Sequence, residues 1–77
     1  MIVFTKNAIV NTDDFPAIFI TKDVINSGRY SIVFMSKFCA DSNVRINGLE
    51  YNKAVEILEI ITDGIIINRS YLSIQEE

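Results

Sequence analysis

The chain has no histidine and no tryptophan, and only one cysteine, one proline and three glycines in 77 residues. Each shortage removes a class of function. Without histidine, a Ser-His-Asp triad, a Cys-His pair and a histidine-containing zinc set cannot be assembled from this chain, and no catalytic or metal residue is assigned. The single thiol, Cys39 in "KFCADS", cannot form an internal disulfide, and it reads as a small buried hydrophobe or a bystander in a reducing compartment. Glycines 28, 48 and 64 stand alone, so no glycine-rich loop brings consecutive amides around a phosphate, and no cofactor is expected. No apolar run approaches the ~20 residues of a membrane span, and the start "MIVFTKNAIV" lacks the basic region and small-residue cleavage site of a signal peptide. A cytoplasmic protein with no membrane partner is expected.

What is present is apolar and β-branched. Hydrophobic residues make up 49% of the chain and charged residues 22%, with fourteen isoleucines and six valines, a composition that folds. Ten acidic residues against seven basic give a net charge of -3, which removes the long-range attraction that a nucleic-acid backbone requires. One domain over residues 1–77 is expected, with residues 75–77 as a disordered tail. A chain this short buries only ~60 to 65% of the surface that its unfolded form exposes. With disulfide and zinc both excluded, association is the remaining support.

Short apolar runs broken by polar punctuation predict antiparallel strands through the first half. "MIVF", "TKN" and "AIVN" read as a hairpin, with Asn7 in a left-handed turn position. "TDDF" breaks the chain before Pro16, which must begin a strand or lie on an edge, and "AIFITK" is the third strand. "DVINSG" makes the next turn. In "RYSIVFMSKF", alternation sets Tyr30, Ile32, Phe34 and Phe38 on one face and Ser31, Val33, Met35 and Lys37 on the other. Val33 and Met35 then either lie under a loop or the tail, or meet a partner.

After the loop "CADSN" and a short strand "VRI", the segment "NGLEYNKAVEILEIITDG" has helical spacing. Asn47 with Glu50 three residues later fits a capping box, which predicts a helix over about 48–63 with Gly64 just past its end. Tyr51, Ala54, Ile57, Leu58 and Ile61 share the apolar face; Asn52, Lys53, Glu56, Glu59 and Asp63 face away. Ile60 projects among the acidic positions. The last apolar points, Tyr71, Leu72 and Ile74, either pair as a final strand of the chain's own sheet or pack on a second copy. The expected fold class is α+β: a small curved antiparallel sheet of about 4–6 short strands with one helix packed on it.

This order of elements, with "KN" at the hairpin tip, a strand after "DDFP", "YSIVFMS" and "LEYNKAVEILEII", resembles small uncharacterised proteins of Firmicutes and their prophages. In those proteins several short strands precede one helix with a spaced alanine and leucine, and Ala54 and Leu58 stand in comparable positions. The likeness spans about residues 1–62, and "INGLEY" stands where those proteins carry a glycine-tyrosine and serine/threonine entry to the helix. It implies the same fold and a phage or mobile-element origin, and it implies no activity.

Adjacent carboxylates at Asp13 and Asp14 read as turn-shaping groups, and Glu56 with Glu59 lacks the further ligands that a metal needs. A single-strand binder would have to rely on Lys6, Arg29 and Tyr30, each better read as a turn or strand residue. The expected function is a non-enzymatic protein-interaction module, either a homodimer or a binder of a host or phage protein, with Ile60, Val33, Met35, Tyr71 and Leu72 as its interface. The alternatives are an acidic inhibitor of a nucleic-acid-binding protein, using Glu50, Glu56, Glu59 and Asp63, a single-stranded nucleic-acid binder, and an accessory enzyme subunit. Generic duplex or single-stranded DNA should show no binding at physiological salt in fluorescence anisotropy; micromolar affinity with a steep salt slope would reverse this reading.

Overall fold

Alternation in the first half of the chain becomes four short strands, a fifth precedes the helix and a sixth follows it. The computed structural model describes residues 1–76; Glu77, the end of the expected tail, lies outside the described residues. The strands are β1 (Ile2–Phe4), β2 (Ile9–Asn11), β3 (Ala17–Lys22), β4 (Tyr30–Met35), β5 (Val44–Leu49) and β6 (Tyr71–Ser73), and the helix α1 (Tyr51–Ile66) lies between β5 and β6. The fold is α+β, but the strands form two three-stranded sheets, β2–β1–β6 and β3–β4–β5, where one curved sheet was expected. The second sheet is antiparallel throughout, whereas β6 runs parallel to β1. The last strand enters beside β1 only after the helix has carried the chain back across the molecule, as a parallel partner requires.

The β1–β2 hairpin forms as read, but its turn does not use a left-handed Asn7. Thr5 makes the turn instead: its amide donates to the Ala8 carbonyl at 2.8 Å and its hydroxyl accepts from the Ala8 amide at 2.9 Å. Pro16 stands just before β3, where its missing N–H costs no ladder bond.

One core joins the two sheets and the helix. Val3, Val10 and Leu72 enter from the small sheet, Ile32, Phe34, Ile46 and Leu49 from the large one, and Ala54, Ile57 and Ile61 from α1. The helix packs on β3 and β4 and touches β6. No helix among the described residues is long and apolar enough to cross a membrane.

Both helix ends differ from the sequence reading. Asn47 and Gly48 belong to β5, and the N-cap is Glu50, whose side chain makes no capping bond. The cause is a bulge: Tyr30 and Ile32 face Leu49 and Ile46, so β5 spans this interval with one more residue than β4. Gly48 takes φ +72° there, and the extra residue returns Leu49 to the core. At the other end the helix runs through Gly64, which is buried. The atom nearest to a Cβ at Gly64 would be the Met1 sulfur, at the movable end of a flexible side chain, and the helix continues through this glycine to Ile66. The left-handed residue is Asn68, at φ +60°; its amide donates to the Ile65 carbonyl and the Arg69 amide to the Gly64 carbonyl, the paired bonds of a Schellman ending.

Leu58, expected to be buried, is only partly so; Ile57 and Ile61 fill the core while Leu58 lies at its margin. Ile57→Ala should therefore cost about 2 to 5 kcal/mol in urea unfolding, and Leu58→Ala clearly less. Equal losses would place both side chains in the core.

Candidate interaction surfaces

The two sheets each turn one face inward and leave the other uncovered. In the small sheet Val3, Val10 and Leu72 point into the core, so alternation sends Ile2, Phe4, Ile9, Asn11, Tyr71 and Ser73 outward. Ile9 and Tyr71 are 72% and 62% exposed. The Phe4 and Tyr71 rings meet edge to face with centroids 6.4 Å apart. No charged residue lies on this face. At its end, the Lys6 amide donates to the Glu76 carboxylate, which ties down part of the expected tail.

The large sheet turns Ala17, Phe19 and Thr21 of β3, Ser31, Val33 and Met35 of β4 and Arg45 of β5 outward. The Ser31 hydroxyl donates to the Asn47 side-chain oxygen at 2.7 Å, so the residue read as a helix cap instead closes a polar pair across two strands.

The expected interface residues are thus not one surface. Tyr71 and Met35 are exposed on different sheets, and Ile60 is exposed on the helix. Val33 is only 3% exposed, because Phe19 and Arg45 flank it across the central strand, and Leu72 is a core residue, so neither offers area to a partner. Phe38, expected to share the inner face of β4, lies beyond the strand and is exposed with Lys37 over its ring. Sequence reading missed Ile9 and Phe4, whose signal was the hairpin alternation itself.

The remaining candidates resolve into local structure. Asp14 pairs with Lys37 at 3.2 Å, and the Asp13 amide donates to the Asn11 side chain at 3.1 Å, so these residues shape the turn before β3. Glu50 lies 3.7 Å from Arg29 and Glu56 3.8 Å from Lys53, so two of the four acids expected to form a charged face are paired within the chain. No group of three metal-capable side chains gathers among the described residues. Cys39 is exposed and not buried; the Ser42 hydroxyl, 3.3 Å away, and the Ser42 amide hold its thiol below the usual range.

A different carboxylate organises the surface. Asp23 is buried at the end of β3 and accepts four hydrogen bonds: from the Ile25 and Asn26 amides at 2.9 and 3.1 Å, the Asn26 side-chain amide at 3.0 Å and the Gly48 amide at 2.8 Å. The clamped loop between β3 and β4 holds Val24 and Ile25 outward, 89% and 84% exposed.

No family model matches this chain, and neither a curated protein nor a solved structure matches it.

The Asn26 side chain, the two loop amides and Gly48 hold the Asp23 carboxyl well below the usual carboxylate range. A depressed folded-state pKa stabilises the fold fully above the unfolded value of about 4, and that contribution is lost as pH falls toward the folded value. Wild type should exceed Asp23→Ala in stability near pH 7, and the gap should narrow steadily below about pH 4 in urea titrations. A gap that stays constant down to the lowest pH would show that the charged form is not what the loop binds.

Proposed function

We propose that this chain is a small non-enzymatic protein-interaction module that pairs with a second copy of itself through the outer face of the β2–β1–β6 sheet. The observation that carries the reading is that face: Ile2, Phe4, Ile9 and Tyr71 side by side across three strands, without a charge among them. An acidic chain repels its copies wherever carboxylates meet, and a charge-free apolar face is where two copies approach at least cost. An isologous contact lays this patch on itself about a two-fold axis, with aromatic Phe4 and Tyr71 near its centre, where interface anchors concentrate. The size of the chain supports the same reading, since a domain this small gains stability from the additional burial.

The test is light scattering over a concentration series, on wild type and on Ile9→Lys/Tyr71→Lys. Both positions are exposed, so the substitutions should leave the circular dichroism spectrum unchanged while reducing a dimer to monomer. Ile60→Lys tests the helix as the rival surface: loss of the dimer there, with the sheet variant still dimeric, moves the interface to α1. A wild-type chain that is monomeric at all concentrations defeats the homodimer.

A further inference from the structure

We infer that Asn47–Gly48 is a site of covalent modification, where the asparagine converts to aspartate and isoaspartate without an enzyme, and that bonds to Ser31 and Asp23 keep it unreacted while β5 is paired. This is the one Asn-Gly pair in the chain. In such a pair the glycine nitrogen reaches the asparagine side-chain carbon with no Cβ in the way. Both residues are exposed, so water has access and burial gives no protection. Nor is the glycine readily replaced, since the bulge holds it at φ +72°.

The reaction needs only water. The Gly48 nitrogen gives its proton to solvent and bonds to the side-chain carbonyl carbon of Asn47. The bond from that carbon to the side-chain nitrogen breaks, and ammonia leaves with a proton taken from solvent. The resulting cyclic imide then takes up one water. Opening at the side-chain carbonyl gives aspartate; opening at the backbone carbonyl gives isoaspartate, whose main chain runs through the extra methylene. The net change turns a carboxamide and a water into a carboxylate and an ammonium ion, and nothing is oxidised or reduced.

The native structure engages both reacting groups. The Gly48 amide, the nucleophile, donates to Asp23 at 2.8 Å, and the Asn47 side-chain oxygen accepts from the Ser31 hydroxyl at 2.7 Å. The first bond aims the amide at the β3–β4 loop, and the second holds the carboxamide against β4, so neither is turned on the other. The charge on Asp23 also opposes the reaction, because loss of the Gly48 proton would set a second negative charge beside it. Asp23 is a poor acceptor for that proton, being held well below the usual carboxylate range. Ring closure therefore waits for a local opening of β5, which lies at the edge of its sheet. The change is one-way. Isoaspartate lengthens the main chain inside the bulge that turns Leu49 into the core, and either product adds a negative charge just before the amide that Asp23 binds. The site thus keeps a permanent record of β5 openings, and it is independent of the sheet face proposed above.

The test follows position 47 by peptide mapping in full-length protein at neutral pH, with isoaspartate separated from aspartate by chromatography. Folded wild type should convert at least about tenfold more slowly than the same chain in urea, as even a weakly unfavourable opening requires. Ser31→Ala and Asp23→Ala each remove one bond and should speed conversion severalfold in samples whose circular dichroism shows the native fold. Ser31→Ala carries this comparison alone if Asp23→Ala does not fold. Leu58→Ala weakens the margin of the core and leaves both bonds in place, so it should convert at close to the wild-type rate. No conversion at position 47 even in urea overturns the site. Equal rates in folded and unfolded wild type overturn the protection, as does a rise in Leu58→Ala that matches the bond variants. A folded Ser31→Ala that converts no faster than wild type overturns it as well.

Discussion

The hydrogen bond from the Gly48 amide to the Asp23 carboxylate joins the two ends of the larger sheet, and the placement of the helix follows from it. Asp23 ends the β3 edge and Gly48 sits in β5 on the opposite edge, with β4 between them. Strict alternation along β5 from Ile46 would turn Gly48 inward and Leu49 outward. The bulge inserts one residue, Gly48 adopts a conformation that costs other residues more, and Leu49 turns into the core. Only then does α1 start, with Glu50 as its cap, at the angle that brings Ala54, Ile57 and Ile61 onto Ile32 and Phe34. The same carboxylate fixes the β3–β4 loop, so a single buried charge sets both the register of the core and the shape of an exposed tip.

The small sheet has a different economy of surface. Three strands of three residues contribute Val3, Val10 and Leu72 to the core, and their alternation necessarily presents an equal or larger set outward. Among the described residues the one α-helix is committed to the large sheet and to β6, and the outward Phe4, Ile9 and Tyr71 remain in contact with water. The apolar, β-branched composition that lets 77 residues fold is thus the same property that leaves an unpartnered face.

Features decided by neighbours in sequence were legible, and those decided across the fold were not. β3 was read residue for residue, because Pro16 bounds it and the run "AIFITK" needs no distant partner to be a strand. The helix was read as a helix, but Asn47 with Glu50 imitates a capping box while the Ser31 hydroxyl, sixteen residues away, engages Asn47 in a sheet. Gly64 imitates a helix stop, but the helix runs through it to Ile66. Val33 has the same local pattern as exposed Met35 and differs only in having strands on both sides along its length. For the candidate surfaces, Tyr71 and Met35 were legible as outward residues and Leu72 was not, because its direction follows from a parallel partner at the far end of the chain. Val24 and Ile25 carried a local signal that went unused: two adjacent β-branched aliphatics inside a turn, where polar residues normally stand.

The proposed sheet-face contact bears on how an acidic chain associates. The sheet face is apolar and charge-free, so its strength comes from area removed from water, and the opposing term is repulsion between two bodies of net charge -3. Salt screens that repulsion and leaves the burial intact, which favours the contact. Ionic strength therefore strengthens the proposed sheet-face contact, the reverse of its effect on a contact held by opposite charges.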